Sequence, residues 1–268
     1  MTDGQECIPV LLYHAVMDDP PDWIAEFTVS PGEFRAQLDA VAASGRTAVT
    51  VGDLVGCLTG RGGPLPPRPV VLTFDDGFAD LPGPTAEALA ARSLPATAYL
   101  TTGAITPGRR SLLPPAPMMA LSQAPLLEQH GMEVGAHTDT HPQLDTLSAG
   151  RLRRELREPK TVLEQTLGHE VAHLAYPHGY NSRAVRRAAA DAGYASAAAV
   201  RHALSSAGDE TYRIARLILR RTHTAADVGR WMAGEGAPVA PFADSAKTVG
   251  WRMYRRARAA LKGPVFAG

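Results

Sequence analysis

The stretch VLTFDDGFAD, residues 71–80, leads an apolar, β-branched run directly into two adjacent carboxylates. Asp75 and Asp76 end the run, and Gly77 follows them. One interpretation is a strand that ends in a plain turn, because Asp and Gly are ordinary turn residues. The other is a functional pair in which one carboxylate binds a cation while its neighbour handles a proton, because two like charges this close resist joint ionisation. The choice depends on which side chains the rest of the chain brings to this point.

Short apolar runs alternate with longer amphipathic segments along the chain. The runs that predict strands are residues 8–16, 70–74, 96–102, 132–137 and 172–177, with two further short runs at 195–200 and 217–222. Helices are predicted between them, and one begins at Ser30 and Pro31, because Ser caps a helix and Pro suits its first position. Strands that alternate with helices form parallel βαβ units. The chain is therefore predicted to be an α/β protein with either a barrel or a doubly wound sheet.

The composition is that of an ordinary globular protein. Lys plus Arg and Asp plus Glu each number 27, so no net charge favours nucleic acid as a partner. Cys7 and Cys57 lack CxxC spacing and are predicted to be free thiols. The N-terminal residues do not show the pattern of a secretory signal, and no apolar run reaches membrane-spanning length. These observations predict a cytoplasmic location.

The C-terminal segment differs in charge from the rest of the chain. Residues 248–268 contain five basic residues and no acidic one. We predict a single catalytic domain at 1–240, followed by a basic amphipathic tail at 241–268. One interpretation of the tail is a helix packed on its own domain. The other is a weak contact with an anionic membrane surface or a partner protein.

A pair of histidines lies at the end of another predicted strand. In GAHTDTHPQL, residues 135–144, His137 and His141 stand four residues apart, so both imidazoles can face one point. A structural role for either histidine is the simpler interpretation. However, the carboxyl ends of parallel strands gather on one face, which would bring this pair close to the two aspartates. Two imidazoles and one carboxylate are a common ligand set for a catalytic divalent ion.

Two further motifs follow predicted strands. In HLAYPHGYNS, residues 173–182, Pro177 and Gly179 shape a sharp turn, and a backbone N–H beside that turn could face a developing oxyanion. In LLYHAVMDD, residues 11–19, His14 follows an apolar run. Taken singly, the first motif is also a plain turn and the second a core or capping histidine.

The four motifs, in the order YHAV, TFDDG, HTDTH and AYPHG, resemble those of the NodB-homology polysaccharide deacetylases of carbohydrate esterase family 4. The resemblance extends over about residues 8–225. It implies an irregular (β/α) barrel in a single domain. It also implies a hydrolase that removes N-acetyl groups from amino sugars with a divalent metal, most commonly zinc, with cobalt, nickel or manganese as alternatives.

The resemblance assigns a metal site to three of these residues. Asp76, His137 and His141 match the family's metal ligands. Thr138 matches a hydroxyl position that would steady a ligand by hydrogen bonding.

The resemblance also assigns catalytic roles. Asp75 matches the base that accepts a proton from the nucleophilic water, which the metal binds. The backbone N–H of His178, just after Pro177, matches the oxyanion donor.

The sequence departs from the family's usual pattern in two places. An arginine that normally tethers the base is replaced by Ala175, and either Arg216 or Arg213 could take its place. The usual late motif that supplies a general acid is also not evident. The sequence instead resembles a permuted branch that includes poly-N-acetylglucosamine deacetylases, in which the acid comes from the Tyr-His stretch. His14 is therefore the predicted general acid, with His223 as the alternative.

The predicted activity is removal of an N-acetyl group from an acetamido sugar or sugar conjugate. The sequence is also compatible with two other functions. Related barrels hydrolyse amides or cyclic imides that are not carbohydrates, and the proline-rich loop at 103–125 would decide which amide fits. A carbohydrate-binding pseudoenzyme would lack a metal ligand or the base, whereas this sequence has all four residues.

Overall fold

The computed structural model describes residues 7–263. Its strands are β1 (Cys7–Ile8), β2 (Val10–Tyr13), β3 (Thr47–Val49), β4 (Pro69–Phe74), β5 (Ala96–Leu100), β6 (Met132–Ala136), β7 (His173–Ala175), β8 (Ser196–Ala198), β9 (Ser205–Ser206) and β10 (Leu217–Ile218). Its α-helices are α1 (Pro31–Ala43), α2 (Val51–Leu58), α3 (Ala86–Ala90), α4 (Thr102–Ile105), α5 (Ala124–Gln129), α6 (Ala149–Leu167), α7 (Arg183–Asp191), α8 (Ala225–Met232) and α9 (Ala246–Lys262). The predicted units at 1–240 and 241–268 each extend at one end beyond the described residues.

The main sheet is parallel and curled. Its strands lie in the order β10-β2-β4-β5-β6-β7-β8, and β3 pairs with β4 outside this path. A parallel bridge between Ala198 of β8 and Ile214, just before β10, brings the two ends of the sheet towards each other. The architecture is therefore a half-barrel of parallel strands with helices around it, which agrees with the predicted α/β class.

Strand β4 shows how the sheet orients the residues that follow it. All six of its residues are buried, as expected for a parallel strand covered on both faces. Three alternate residues pack with the surrounding helices: Val70, Leu72 and Phe74. Val71 lies in a smaller cluster on the other face, which α2 covers. Because side chains alternate along a strand, Thr73 and Asp75 share the inner face with Val71.

Helix starts follow the capping residues in the sequence. The Ser30 hydroxyl accepts a hydrogen bond from the Glu33 N–H, and α1 begins at Pro31 as predicted. Strand β3 was not predicted, because it has only three residues and just one of them is buried. No helix within residues 7–263 is both long enough and apolar enough to cross a lipid bilayer.

Candidate metal and catalytic site

The carboxyl ends of four strands supply the chemically active side chains. His14 follows β2, Asp75 follows β4, His137 follows β6, and His178 lies shortly after β7. Because the strands are parallel, these ends meet at one edge of the sheet, where α/β proteins build their sites. A cavity of about 800 Å³ opens at this edge, and all four residues line it.

A buried arginine holds the Asp75 carboxylate. Arg216 is 0% exposed, and its Nη1 and Nη2 donate to Asp75 Oδ1 and Oδ2 at 2.7 and 2.8 Å. Nη1 also donates to Thr73 Oγ1 at 3.2 Å, and Nε donates to the Ala199 carbonyl at 3.1 Å. Burial raises the pKa of Asp75, but the positive charge of Arg216 and its hydrogen bonds outweigh this effect, so the net pKa is lowered. Asp75 is therefore ionised, as a proton acceptor must be.

Arg216 is the arginine that pairs with Asp75. The sequence left this role open between Arg216 and Arg213. Asp75, the predicted base, is held by Arg216 although Ala175 stands where the family resemblance places an arginine. Arg213 instead pairs with Asp244.

Three side chains converge beside Asp75. The Asp76 Oδ1 atom lies 3.5 Å from His137 Nε2 and 3.3 Å from His141 Nε2, and one ligand atom from each residue lies within 4.8 Å of the others. Zinc bonds of about 2.0–2.1 Å in a tetrahedral arrangement place neighbouring ligand atoms ~3.4 Å apart. The observed separations therefore suit one divalent cation.

The protonation states of these side chains also favour binding of a cation. Burial and then the negative charge of Asp75 raise the pKa of Asp76, so an ionised Asp76 here needs a positive partner. Burial lowers the pKa of both His137 and His141, which keeps the imidazoles neutral with a lone pair available. Among residues 7–263, no hydrogen-bond donor satisfies Asp76 Oδ1.

Neighbouring groups orient the two imidazoles. His137 Nδ1 lies 2.9 Å from the Ala175 carbonyl oxygen, which can only accept, so Nδ1 carries the proton and Nε2 faces Asp76 with its lone pair. The Thr138 hydroxyl accepts a hydrogen bond from the backbone N–H of His141 at 3.1 Å, which holds the turn that carries the second histidine. This contact places Thr138 where a residue that steadies a ligand is expected.

The backbone is strained at this edge of the sheet. Asp76, Thr138, His141 and His178 have φ values of 74°, 68°, 62° and 58°. These values lie in the left-handed region, which non-glycine residues adopt at a cost. Such strain is common at functional sites, where the surrounding structure holds side chains in directions that a relaxed backbone would not allow.

The two histidines proposed for proton transfer lie in different places. His14 lines the cavity, and burial lowers its pKa to about 4 although the Asp75 charge opposes the shift. His223 is not among the described residues that line the cavity, and its ring packs on Trp231 with centroids 5.0 Å apart. His178 lies beside the metal ligands, with its ring centroid 4.8 Å from that of His141.

Comparison with known proteins identifies the family. The family model described as Polysaccharide deacetylase matches residues 62–197, just over half of the chain. The chain belongs to the polysaccharide deacetylase family. This confirms the family resemblance drawn from the four motifs. Asp75, Asp76, His137, His141 and His178 all lie within the matched residues.

Relatives in the polysaccharide deacetylase family share the fold of this chain at low sequence identity. The curated Bacillus subtilis protein YxkH is 23% identical over 193 residues, covering 72% of this chain and 64% of that protein, so this chain spans less than two-thirds of its length. The solved Streptococcus pyogenes deacetylase PplD, in complex with acetate, has a TM-score of 0.73 and 24% identity, covering 83% of this chain and 96% of that one. The solved IcaB from Ammonifex degensii has a TM-score of 0.70 and 22% identity, covering 85% and 97%. The shared fold confirms the irregular (β/α) barrel.

The C-terminal helix of this family member forms part of the cavity wall. Arg255 of α9 makes a buried two-point ion pair with Asp145, at 2.7 and 2.9 Å, and lies 3.4 Å above the Tyr180 ring. Trp251 Nε1 donates to the Tyr180 hydroxyl at 3.0 Å. Trp251, Arg252 and Arg255 line the cavity. The sequence left open whether this basic tail packs on its own domain or contacts a membrane or partner, and these contacts pack it on the domain.

Replacing Arg216 with methionine is expected to lower the free energy of unfolding by about 3–5 kcal/mol, because a buried Asp75 would lose its charge partner. Chemical denaturation measures the change. Arg221→Met is the matched control, since Arg221 is exposed and its loss should cost at most about 0.5 kcal/mol. Equal losses in the two variants would contradict the view that Arg216 stabilises the ionised Asp75.

Proposed function

We propose that this polysaccharide deacetylase family member removes the N-acetyl group of an acetamido sugar or sugar conjugate by hydrolysis, with a divalent cation, zinc first among the candidates. The observation that carries the proposal is the convergence of Asp76, His137 and His141 on one point beside the ionised Asp75. A carbohydrate-binding pseudoenzyme would not need this combination of ligands and base.

Asp76, His137 and His141 would hold the cation, through one carboxylate oxygen and two Nε2 atoms. When bound, a divalent cation supplies Lewis acidity, which makes water more acidic and polarises a carbonyl oxygen. The residues around this site perform the remaining tasks of proton transfer, charge stabilisation and substrate positioning.

Asp75 would act as the general base. Its carboxylate accepts the proton that a water molecule loses as its oxygen attacks the acetamide carbon. Arg216 keeps Asp75 ionised and fixed in direction, because both carboxylate oxygens bond to the guanidinium. The nearest metal-ligand nitrogen, His137 Nε2, is 3.7 Å from Asp75 Oδ2, so base and cation site are adjacent.

Two groups would act on the tetrahedral intermediate. One would stabilise its negative charge, and the other would protonate the nitrogen that leaves. The backbone N–H of His178 donates to the developing oxyanion, as such turns do in acyl transfer. His14 donates a proton to the departing nitrogen while the C–N bond breaks, which yields acetate and a free amine. The low pKa of His14 makes it neutral before the reaction, so the proton that Asp75 takes from water must reach His14 before His14 can act as the acid.

Aromatic rings at the cavity wall would bind the sugar. Trp23, Phe27 and Trp251 all line the cavity, and the apolar C–H face of a pyranose packs well on such rings. The Trp23 indole is tied to the proline-rich loop, since its Nε1 donates to the Pro115 carbonyl at 3.2 Å. This loop therefore borders the proposed substrate site.

Acetate release tests the proposed activity. Metal-loaded protein is incubated with a panel of N-acetylated sugars, neutral and charged, and with cyclic imides as the competing substrate class. Acetate from at least one sugar, lost in Asp75→Asn, is the expected result. Turnover of the imides alone would replace the sugar proposal with the amide alternative.

We also propose that α9 contacts an anionic lipid surface. Three residues on α9 expose large apolar side chains, Met253, Tyr254 and Leu261, at 68%, 53% and 85%. Arg255 faces the domain, so the helix directs apolar residues to solvent, with Arg256, Arg258 and Lys262 on the same helix. An apolar face accompanied by basic residues is typical of helices that lie in a membrane interface.

Met253→Asp and Leu261→Asp are each expected to weaken co-sedimentation with phosphatidylserine vesicles by about 10-fold or more, since each removes a side chain worth about 1.5–3 kcal/mol when buried. Leu126→Asp is the matched control, because Leu126 is also an exposed leucine, 38% accessible, but lies on α5. Unchanged binding in both α9 variants would rule out this role for the helix.

A further inference from the structure

We infer that Arg201, Arg213 and Arg252 form an anion-binding subsite in the cavity, and that the substrate carries a phosphoryl group beside its acetamido sugar. The second half of this inference rests on the proposed function. The three residues, here called the arginine cluster, all line the same cavity as the candidate metal ligands.

The arginine cluster is only partly neutralised. Asp244 is the one carboxylate of the described cavity wall that pairs with it, through Arg213 and, at 2.8 Å, through Arg252. Arg201 has no carboxylate within ion-pair distance anywhere in residues 7–263. Its Nη2 bonds to the Phe242 carbonyl, and its Cζ lies 4.1 Å from the Phe242 ring centroid. Three guanidinium groups therefore share Asp244 on the cavity wall, and among the described residues only Arg213 has a further carboxylate, Glu210, at 3.9 Å.

Two donors of the arginine cluster lack acceptors. Within the described part of the chain, neither Arg201 Nη1 nor Arg213 Nε has a hydrogen-bond partner, although both atoms are buried. A buried donor without an acceptor is costly, and the cost is greater when the group is charged. Burial and then the charge of Arg213 lower the pKa of Arg201, although the charges of Asp209, Asp244 and Glu210 oppose the shift.

Two further carboxylates, Asp209 and Glu210, lie near the arginine cluster but outside the cavity wall. Asp209 accepts hydrogen bonds from the Ser205 hydroxyl and the Ala215 N–H, and Glu210 lies 3.9 Å from Arg213; neither residue lines the cavity. The other cavity arginines have their own carboxylates: Arg255 pairs with Asp145 and Arg220 with Glu26. The excess positive charge therefore belongs to the arginine cluster.

A phosphoryl group is the ligand that suits this arrangement. Arginine forks bind phosphate oxygens in pairs, and an anion in the cavity would balance the positive charge that Asp244 and Glu210 leave on the arginine cluster. Helix α9 adds to the same potential, because its N-cap Ser245 and Thr248 line the cavity and the N-terminal end of a helix dipole is positive. A neutral glycan would leave these charges unpaired. The expected substrate class is thus a phosphorylated or diphosphate-linked acetamido sugar.

Calorimetric binding of N-acetylglucosamine 1-phosphate and of neutral N-acetylglucosamine to the metal-loaded protein tests this inference. The phosphorylated sugar is expected to bind at least about 10-fold more tightly. Arg201→Gln removes a positive charge without breaking an ion pair, and Arg201→Gln/Arg213→Gln removes most of the excess positive charge. Both variants should lose the preference for the phosphorylated sugar. Neither should change the affinity for the neutral sugar. The control Arg153→Gln/Arg154→Gln makes the same change in net charge at exposed positions of α6 and should keep it.

A metal-ligand variant separates the arginine cluster from the metal, because phosphate also binds cations. In His141→Ala the preference for the phosphorylated sugar should persist. A preference that disappears in His141→Ala but survives in Arg201→Gln/Arg213→Gln would overturn the subsite. If the protein releases no acetate but keeps an arginine-dependent preference for the phosphorylated sugar, the subsite is supported and the proposed hydrolysis is refuted.

Discussion

Asp76→Ala is expected to abolish binding of the divalent cation and, with it, the proposed deacetylation. Its carboxylate oxygen lies 3.3–3.5 Å from the Nε2 atoms of His141 and His137, so its removal leaves two neutral ligands and no anionic one. Loss of a supporting residue around a metal typically costs 10–100-fold in affinity, so loss of a ligand should cost more than about 100-fold. Elemental analysis of the purified protein and competition with a chelating dye measure this change.

His141→Ala should behave in the same way, because His141 is the second predicted ligand and lies in the turn after β6. His169→Ala is the matched control, since His169 is an exposed histidine that contacts Glu128 on the surface. It should retain full metal content. Stoichiometric metal in both Asp76→Ala and His141→Ala would disprove the ligand assignment and remove the basis for the proposed function.

Asp75→Asn is expected to keep the metal and lower kcat by about 100-fold to 10,000-fold, the range that a general base contributes. Asparagine has nearly the same shape but cannot accept the proton from water at neutral pH. Because Asp75 lies next to the cation site without belonging to its ligand set, metal content should stay at the level of the unmodified protein. Acetate release and elemental analysis on the same sample give both values.

Asp145→Asn is the control for the structural part of this change. Asp145, like Asp75, is a buried carboxylate with a two-point ion pair to an arginine, here Arg255 of α9. Both variants remove one buried negative charge, so both should lose stability. Asp145→Asn should change KM through the cavity wall and lower kcat by less than about tenfold. Comparable kcat losses in the two variants would mean that Asp75 acts through the fold and not as the base.

Local sequence was sufficient to find the residues at the strand ends. Asp75 and Asp76 follow a buried apolar run, and His137 and His141 stand four apart after another such run. Parallel strands end on one side of a sheet, so these two motifs could be expected to meet before any coordinates were known. The structure brings their side chains together, although their roles in metal binding and catalysis stay predictions.

Arg216 could not be singled out from sequence. It lies 141 positions from Asp75, just before the two-residue strand β10, and nothing around it distinguishes it from Arg213. The curled sheet distinguishes the two arginines. Arg216 lies on its inner face with Thr73 and Asp75, whereas Arg213 pairs with Asp244. Because the curvature of the sheet brings Arg216 to Asp75, the spacing of neighbouring residues in the sequence does not reveal this pair.

The sequence by itself determined the parallel α/β class, the family and the types of side chain available for metal binding and proton transfer, because apolar periodicity and closely spaced polar residues are local properties. Only the tertiary structure decided which arginine holds Asp75, that His14 and not His223 lies in the cavity, and that α9 forms part of its wall. These contacts join residues far apart in the chain, such as Asp145 and Arg255, which are separated by 110 positions. Their partners are selected by which surfaces the folded sheet and helices bring together.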